Sequence, residues 1–343
     1  MTLGNALTLR IDRVSPSAAI PGGEILIEGE RFQSNGASRP RVFFGEAEST
    51  LVFSNDRRLV ARVPEDASGE TLRVRNSLGE SSPVPVRVGT LLAENLHPVA
   101  NPAVDHEGNV YATYSGQRGQ KVAVSLYKIT PSHQVLPLPT ELTNPSGLAV
   151  DRDGILYVAC RHDGTIHRVT PDGRSQQWIE GMGIATGLAF DKDQNLFVGD
   201  RSGTIFKISP DRQVFVFATL EPSVAAYHLA FSPSGELYVS GPTTSSFDHV
   251  CKVDGNGQVS VFFRGLGRPQ GLAFDRQGNL YVAASFAGRR GIVRIASDGT
   301  ADIAISGGAI IGLALLPSRR AVIATSDSVY DLNWDVEGLP LPV

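Results

Sequence analysis

Short apolar runs separated by turn-forming residues make up almost the whole chain. Between residues 8 and 88, apolar and polar positions alternate with a period of two, as in residues 59–63 (Leu-Val-Ala-Arg-Val) and 72–75 (Leu-Arg-Val-Arg). That period places every second side chain on one face of a strand. We find no apolar stripe at helical spacing. The pattern therefore predicts a β-sandwich for this segment.

From about residue 91 onward the chain repeats one phrase. Residues 147–158, which begin Gly-Leu-Ala-Val-Asp, return with few changes as residues 187–198, 228–239 and 271–282. The position of Asp151 recurs every 40–46 residues, at Asp105, Asp151, Asp191, Ser232, Asp275 and Leu316. A period near 40 with about four strand-like runs per unit is typical of propeller blades. The sequence thus predicts an all-β chain with an N-terminal immunoglobulin-like β-sandwich, residues 1–88, and a six-bladed β-propeller, residues 89–343.

Each repeat has interpretable parts. The Gly-Leu-Ala-Phe run predicts the innermost strand, and the following Asp-x-x-Gly predicts a hairpin turn. Residues 151–154 (Asp-Arg-Asp-Gly) start like a calcium loop, but no later Glu completes the ligand set, so we interpret them as a turn. Residues 87–95 resemble the outer strand of a blade, and we expect them to complete the last blade and close the ring.

Composition and charge argue against a nucleic-acid-binding protein and against a membrane-spanning one. The net charge of −4 gives no indication of a nucleic-acid partner. No run of about 18 apolar residues predicts a membrane span, and the first residues lack the pattern of an export signal, which favours a cytoplasmic protein. Cys160 and Cys251 lie far apart in apolar runs and are expected to be buried free thiols.

The first segment resembles the IPT/TIG domain family. The residues that carry the resemblance are Val14-Ser15-Pro16, Pro21-Gly22-Gly23-Glu24, Ile25-x-Ile27-x-Gly29-x-x-Phe32, Val42-x-Phe44-Gly45, Val63-Pro64 and Val74-x-Asn76-x-x-Gly79-Glu80-Ser81. The resemblance implies an immunoglobulin-like binding or spacer module without catalytic residues. In bacterial proteins such modules flank another functional domain.

The repeats resemble those of NHL-repeat and senescence-marker-protein/gluconolactonase-like propellers. That fold hosts lactonases, lyases and binding proteins, so the resemblance does not assign an activity. The lactonases hold a divalent cation with Glu, Asn and Asp side chains at the starts of the inner strands. Here those positions carry Asn101, Ser146, Thr186, Tyr227, Gln270 and Ile311. Because none is a carboxylate and Asp200 alone could not neutralise a hard cation, we expect no metal, with calcium as the alternative.

Three segments depart from the repeat, and all fall in blades four and five. His228 replaces the usual glycine, residues 241–249 form an enlarged polar loop, and residues 285–291 contain paired arginines. The candidate ligand-binding residues are Asn101, Arg161, Asp200, Tyr227, His228, Thr244, Ser245, Asp248, Gln270 and Arg289. Hydroxyls, an imidazole and arginines suit a small polar or anionic ligand. The structural alternative is that Asp248 caps the loop and pairs with Arg289.

Catalysis has weaker candidates. Ser245 or Ser246 with His228 and Asp248 would supply a nucleophile, a base and an acid, but no Gly-x-Ser-x-Gly turn accompanies them. His162 and His249 do not have the spacing of a metal cluster. The sequence therefore favours a binding propeller that recognises a small polar ligand or a protein on one face. The alternative is a gluconolactonase-like hydrolase that acts on a lactone or related ester with an altered site, either with or without a metal ion.

Overall fold

The structure is a computed structural model that describes residues 9–33, 39–67, 69–98, 101–244 and 248–340. Every regular element in this described part is a β-strand, which confirms the all-β prediction. No helix there is long and apolar enough to cross a membrane. The chain forms two compact units. The first contains the residues up to Thr90 with Ile303–Gly308 and Leu332–Trp334, and the second contains the remainder from Leu91 onward.

Two antiparallel sheets form the predicted sandwich of the first unit. One sheet contains, in spatial order, Arg10–Ser15, Glu24–Glu30, Arg58–Arg62 and Thr50–Ser54. The other contains Val84–Pro85, Thr71–Asn76, Arg41–Phe44 and Ala47–Glu48, with Gly79–Glu80 paired to Thr71–Asn76. Two short strands, Ala18–Ala19 and Arg87–Val88, pair in parallel.

Alternation along the strand Glu24–Glu30 builds the core of the sandwich. Ile25 and Ile27 are fully buried, while the residues between them are partly exposed. Gly29 follows on the same face, and a Cβ there would lie 2.1 Å from the carbonyl oxygen of Arg10. Only glycine therefore allows the two strands to approach this closely.

Six sheets, each with four blade strands, form the predicted propeller, and in blades one to five these four strands are consecutive in the chain. Blade one contains Ala103–Val104, Val110–Thr113, Leu126–Ile129 and Val135–Pro137. Blade two contains Pro145–Val150, Leu156–Cys160, Thr165–Val169 and Ser175–Ile179. Blade three contains Ala185–Phe190, Leu196–Asp200, Thr204–Ile208 and Val214–Thr219. Blade four contains His228–Phe231, Leu237–Ser240, Asp248–Val253 and Val259–Leu266. Blade five contains Leu272–Phe274, Leu280–Phe286, Arg289–Ile295 and Ala301–Ser306.

The last blade confirms the predicted closure. It contains Ile310–Leu316, Arg320–Thr325 and Val329–Asn333, and its fourth strand is Thr90–Ala93. The outer strand thus comes from the segment before blade one. Pairing the two ends of the repeat array in one sheet covers strand edges that would otherwise be exposed.

The Asp-x-x-Gly segments are turns, as predicted. The Asp151 carboxylate accepts hydrogen bonds from the backbone N–H groups of Asp153 at 3.0 Å and Ile155 at 2.9 Å. Gly154 adopts a φ of 76°, which glycine allows without strain. Since the carboxylate is occupied by the backbone of its own turn, its recurrence is explained by the hairpin.

Aromatic rings fill the interfaces between blades. Tyr157 on a second strand meets Trp178 on the outer strand of its own blade and Phe190 on the inner strand of the next, at 5.1 and 5.0 Å between ring centroids. Phe197 and Tyr238 make the same pair of contacts one and two blades later. Edge-to-face pairs of this kind add about 0.5–1.5 kcal/mol each to the burial of the rings.

Both cysteines are free and buried, as expected. Burial raises the pKa of the Cys160 thiol to about 12 and that of Cys251 to about 11. Neither thiol is therefore a reactive thiolate near neutral pH.

Candidate functional site

Strand register fixes which side chains reach the axis of the ring. Ala103 pairs with Tyr111 as Ala149 pairs with Tyr157, so Asn101 takes the position of Gly147. The corresponding residues of the other blades are Gly187, His228, Gly271 and Gly312. The sequence comparison that placed Asn101 beside Ser146 was therefore wrong by one residue. Two of the six axial positions carry polar side chains, in blades one and four.

Asn101 is held by the backbone of two other blades. Its amide nitrogen donates to the carbonyl oxygen of Leu272 at 3.0 Å, and its amide oxygen accepts from the N–H of Leu313 at 3.2 Å. A Cβ on Gly271 would lie 1.9 Å from that amide oxygen. The Asn101 side chain is thus a structural bridge between blades five and six.

His228 lines the axial cavity in an uncharged form. Its side chain is 5% exposed, and burial lowers its pKa to about 4. The cavity is about 10 Å³ and is lined by Asn101, Gly147, Leu148, Gly187, Leu188, His228 and Leu229. An imidazole with this pKa is neutral at physiological pH and cannot supply a positive charge to a ligand.

Asp248 is engaged by the loops around it. One carboxylate oxygen accepts from the N–H and the hydroxyl of Thr243 at 2.8 and 2.9 Å, and the other accepts from the N–H of Arg268 at 3.2 Å. Thr244 is exposed next to this cap. The other two members of the candidate nucleophilic set, Ser245 and Ser246, lie outside the described residues.

Hydroxyl groups at the starts of the inner strands connect neighbouring blades. Ser146 donates to the carbonyl oxygens of Ala159 and Ala185 at 3.1 and 2.7 Å. Thr186 donates to the carbonyl oxygen of Gly199 at 2.8 Å and accepts from the N–H of Tyr227. These residues stabilise the ring rather than face a ligand.

Tyr227 is buried, with 3% of its surface exposed. Its hydroxyl has no hydrogen-bond partner among the described residues. Burial raises the pKa of this phenol, so the group stays protonated. The side chain packs between blades three and four, in a cluster that includes Phe197 and Cys251.

Asp200 likewise accepts hydrogen bonds from two neighbouring segments, the one before the inner strand of blade three and the loop that follows Asp200 itself. Its carboxylate accepts from the N–H of Ile184 at 2.8 Å, from the N–H of Ser202 at 3.3 Å and from the Ser202 hydroxyl. A Cβ on Gly183 would lie 2.6 Å from the carboxylate carbon, so the loop packs directly against this group. Within the described chain, no three His, Cys, Asp or Glu side chains are grouped so that they could hold a metal ion.

A cavity lies between blades five and six, whereas the segments that depart from the repeat fall in blades four and five. It has a volume of about 320 Å³ and is lined by Gly267, Arg268, Gln270, Ala284, Ser285, Arg290, Ala309, Ile310, Ile311 and Ser326. Ser285 accepts a hydrogen bond from Nε of Arg290 at 3.1 Å, which orients the guanidinium group. The backbone of Gln270 is tied to Ala283 and to the Ser240 hydroxyl.

Hairpin register decides which of the paired arginines lines this cavity. Phe286 pairs with Arg289 and Ser285 pairs with Arg290 across a turn made by Ala287 and Gly288. Arg290 and Arg268 are lining residues that sequence reasoning missed. The sequence could have identified Arg290, because a two-residue turn at 287–288 places this arginine beside Ser285.

Arg161 lies at the same end of the ring but in blade two, away from this cavity. It is half-buried, and its guanidinium nitrogen is 3.4 Å from the Ser115 hydroxyl. The predicted site residues therefore do not form one group. They divide among the axis, blade two, blade three, blade four and the cavity of blades five and six.

A second cavity of about 310 Å³ lies between blades three and four at the opposite end of the ring. Its apolar wall is formed by Phe197, Phe217 and Phe231, which are one copy of the aromatic group that recurs between blades. Lys207 lies 5.7 Å from the centroid of Phe197. Repeat packing accounts for these residues, and the loops that depart from the repeat are at the other end.

Comparison with known proteins supports both domains. The IPT/TIG domain family matches residues 9–90, and these residues form an IPT/TIG domain. No curated protein matches the chain in sequence.

Solved structures share the propeller fold at low sequence identity. A candidate gluconolactonase from a structural genomics consortium has a TM-score of 0.60 at 18% identity, covering 74% of this chain and 94% of its own. A gluconolactonase from Xanthomonas campestris has a TM-score of 0.56 at 20% identity, covering 73% and 89%. An auxiliary nutrient binding protein from Bacteroides thetaiotaomicron has a TM-score of 0.55 at 12% identity, covering 94% and 97%.

Proposed function

We propose that this protein binds a small anionic, polar molecule in the cavity between blades five and six and releases it unchanged. Arg268 and Arg290 both line this cavity, and its described lining includes no carboxylate. A volume of about 320 Å³ lies within the usual range for small-molecule sites. A concave site of this size favours a small molecule over a protein partner.

The lining chemistry suits a ligand that carries both a negative charge and hydroxyl groups. Guanidinium groups bind carboxylates and phosphates through two parallel hydrogen bonds. Gln270, Ser285 and Ser326 supply neutral donors and acceptors beside them. Ala309, Ile310 and Ile311 supply an apolar wall for a carbon skeleton. The likeness to an auxiliary nutrient binding protein is consistent with a binding role.

Lactone hydrolysis is the alternative, and the likeness to gluconolactonases supports it only at the level of the fold. A hydrolase of that kind needs a polarising cation or a free general base near the axis. The carboxylates of Asp200 and Asp248 accept hydrogen bonds from the backbone N–H groups of Ile184 and Thr243, and His228 is buried. Because these side chains are already hydrogen-bonded or buried, we favour binding over turnover.

Calorimetric titration with matched ligands tests the proposal. Gluconate carries a carboxylate, whereas sorbitol has the same carbon chain without one. We expect binding of gluconate, or of another member of a panel of sugar acids, dicarboxylates and sugar phosphates, and none of the neutral analogue. Binding should weaken at least tenfold in Arg290→Gln, as expected for loss of a charge-assisted hydrogen bond.

A parallel assay addresses the alternative. Glucono-δ-lactone should be hydrolysed at the background rate with and without added calcium or zinc. Metal-dependent turnover that disappears in Asp200→Asn would overturn the proposal. So would the failure of every anion in the panel to bind.

A further inference from the structure

A second group of arginines lies on the same end of the ring, outside the cavity described above. Arg161 follows the second strand of blade two, and Arg201 follows the second strand of blade three. The two are equivalent in register, and the N–H of each donates at 3.1 Å to the loop before its own inner strand, at Asn144 and Ile184. The fold therefore repeats one arginine in adjacent blades.

The loop of blade one completes the group. Asn144 organises this loop by donating to the carbonyl oxygens of Gly116 and Gln117 at 2.9 Å and by accepting from the N–H of Gly119 at 2.7 Å. Arg118 lies within the loop so formed. Its positive charge, together with that of Arg201, acts on Arg161.

Neutral groups position two of the guanidinium groups. Arg161 lies 3.4 Å from the buried Ser115 hydroxyl, and Nε of Arg201 donates to the carbonyl oxygen of Ser223 at 3.2 Å. Among the described residues, no carboxylate is within ion-pair distance of Arg118, Arg161 or Arg201. By contrast, many arginines elsewhere in the chain pair with Asp or Glu.

This arrangement is unfavourable without a counter-ion. Arg161 is half-buried, and burial together with the like charges of Arg201 and Arg118 lowers the pKa of its guanidinium group. Proteins rarely bring like charges together in partly buried positions unless an opposite charge offsets the repulsion. An arginine pair with a hydroxyl beside it matches the oxygens of a phosphate or carboxylate group.

We propose that Arg161, Arg201 and Arg118 form an anion-binding site for a phosphate or carboxylate group, separate from the cavity of blades five and six. Arg161 is its central residue because its guanidinium nitrogen lies 3.4 Å from the blade-one hydroxyl of Ser115 and the charges of both Arg201 and Arg118 act on it. Arg201 and Arg118 supply the other two positive charges of the site. The site is independent of the proposed function, since the two involve different blades and different arginines.

Thermal unfolding in different salts tests the site with simple probes. We expect inorganic phosphate to raise the melting temperature of the full chain more than chloride does at equal ionic strength. Citrate, a carboxylate probe, is compared in the same way, so that the two arms distinguish a phosphate site from a carboxylate site. Arg161→Gln should weaken the apparent affinity for the preferred anion at least tenfold.

Two comparisons distinguish an anion site from a general charge effect and from a structural arginine. Arg152→Gln removes one charge from an exposed turn at the opposite end of the ring and should leave the anion response unchanged. In chloride alone, Arg161→Gln should be at least as stable as the wild type, because it removes a partly buried cation without a counter-ion. A purely structural arginine would instead lower the melting temperature equally in every salt.

Several results would overturn the inference. One is that neither phosphate nor citrate raises the melting temperature of the wild-type protein more than chloride does at equal ionic strength. Another is that the preferred anion raises the melting temperature of Arg161→Gln as much as it raises that of the wild type. Loss of the response in Arg290→Gln, with Arg161→Gln unaffected, would assign the anion to the cavity of blades five and six. That result would leave the proposed function standing while removing the second site.

Discussion

Asn101 and His228 occupy the same register position on opposite blades of the six-bladed ring, and both line one axial cavity of about 10 Å³. The other four blades have glycine there. A space of that size holds about one water molecule. The two polar side chains thus fill the axis at this level, and Asn101 joins blades five and six through its amide.

Asn101→Ala should lower the free energy of unfolding by about 2 kcal/mol, because the Leu272 carbonyl and the Leu313 N–H would lose their partner in a buried position. Urea denaturation measures the change. Asn256→Ala, in an exposed turn, is the matched control. Equal stability of the two variants would show that the bridge contributes nothing to ring closure.

His228 should make stability depend on pH. Its pKa is about 4 in the folded protein, whereas an unfolded histidine titrates near 6.5. As pH falls from 6.5, the unfolded chain takes up the proton first, so stability is lost between about pH 6.5 and 4 and is fully present above that range. The loss should reach about 3 kcal/mol. In His228→Gln this component disappears.

The comparison between wild type and His228→Gln isolates the histidine, because carboxylates titrate in both proteins. Denaturation midpoints at pH 7, 6, 5 and 4 give the difference directly. If the difference between the midpoints of the two proteins stays constant from pH 7 to pH 4, the imidazole accepts a proton as readily in the folded ring as in the unfolded chain.

Asp200→Asn should destabilise the blade-three loop. The carboxylate accepts three hydrogen bonds, two from backbone N–H groups and one from the Ser202 hydroxyl. Asparagine removes the negative charge that strengthens all three and replaces the oxygen facing Ser202 with an NH₂ group, which cannot accept. We expect a loss of about 1–3 kcal/mol in urea denaturation. Asp193→Asn, at an exposed turn position, is the control. A loss no larger than in the control would mean that the carboxylate is not needed to hold the loop.

The sequence predicted the fold well because the repeat is local. Turn residues such as Asp151 and Gly154 act within a few residues, and their periodic return identifies the blades. The site was predicted less well because a one-residue shift changes where a side chain points. Asn101 was compared with the wrong position for this reason. Nor could spacing reveal that the Asp200 carboxylate accepts a hydrogen bond from the N–H of Ile184, 16 residues earlier in the chain.

Arg290 and Arg289 differ in their relation to the cavity of blades five and six, and this difference gives a sharp test. Arg290 lines the cavity and donates to Ser285, whereas Arg289 pairs in register with Phe286 next to the turn. Arg290→Gln should weaken binding of an anionic ligand at least tenfold, and Arg289→Gln should weaken it much less. Because Arg290 is exposed, its replacement should change the unfolding free energy by no more than about 0.5 kcal/mol. Calorimetry and urea denaturation on both variants measure the two effects. If Arg289→Gln has the larger effect on binding, the ligand occupies the rim of the blade-five hairpin rather than the cavity.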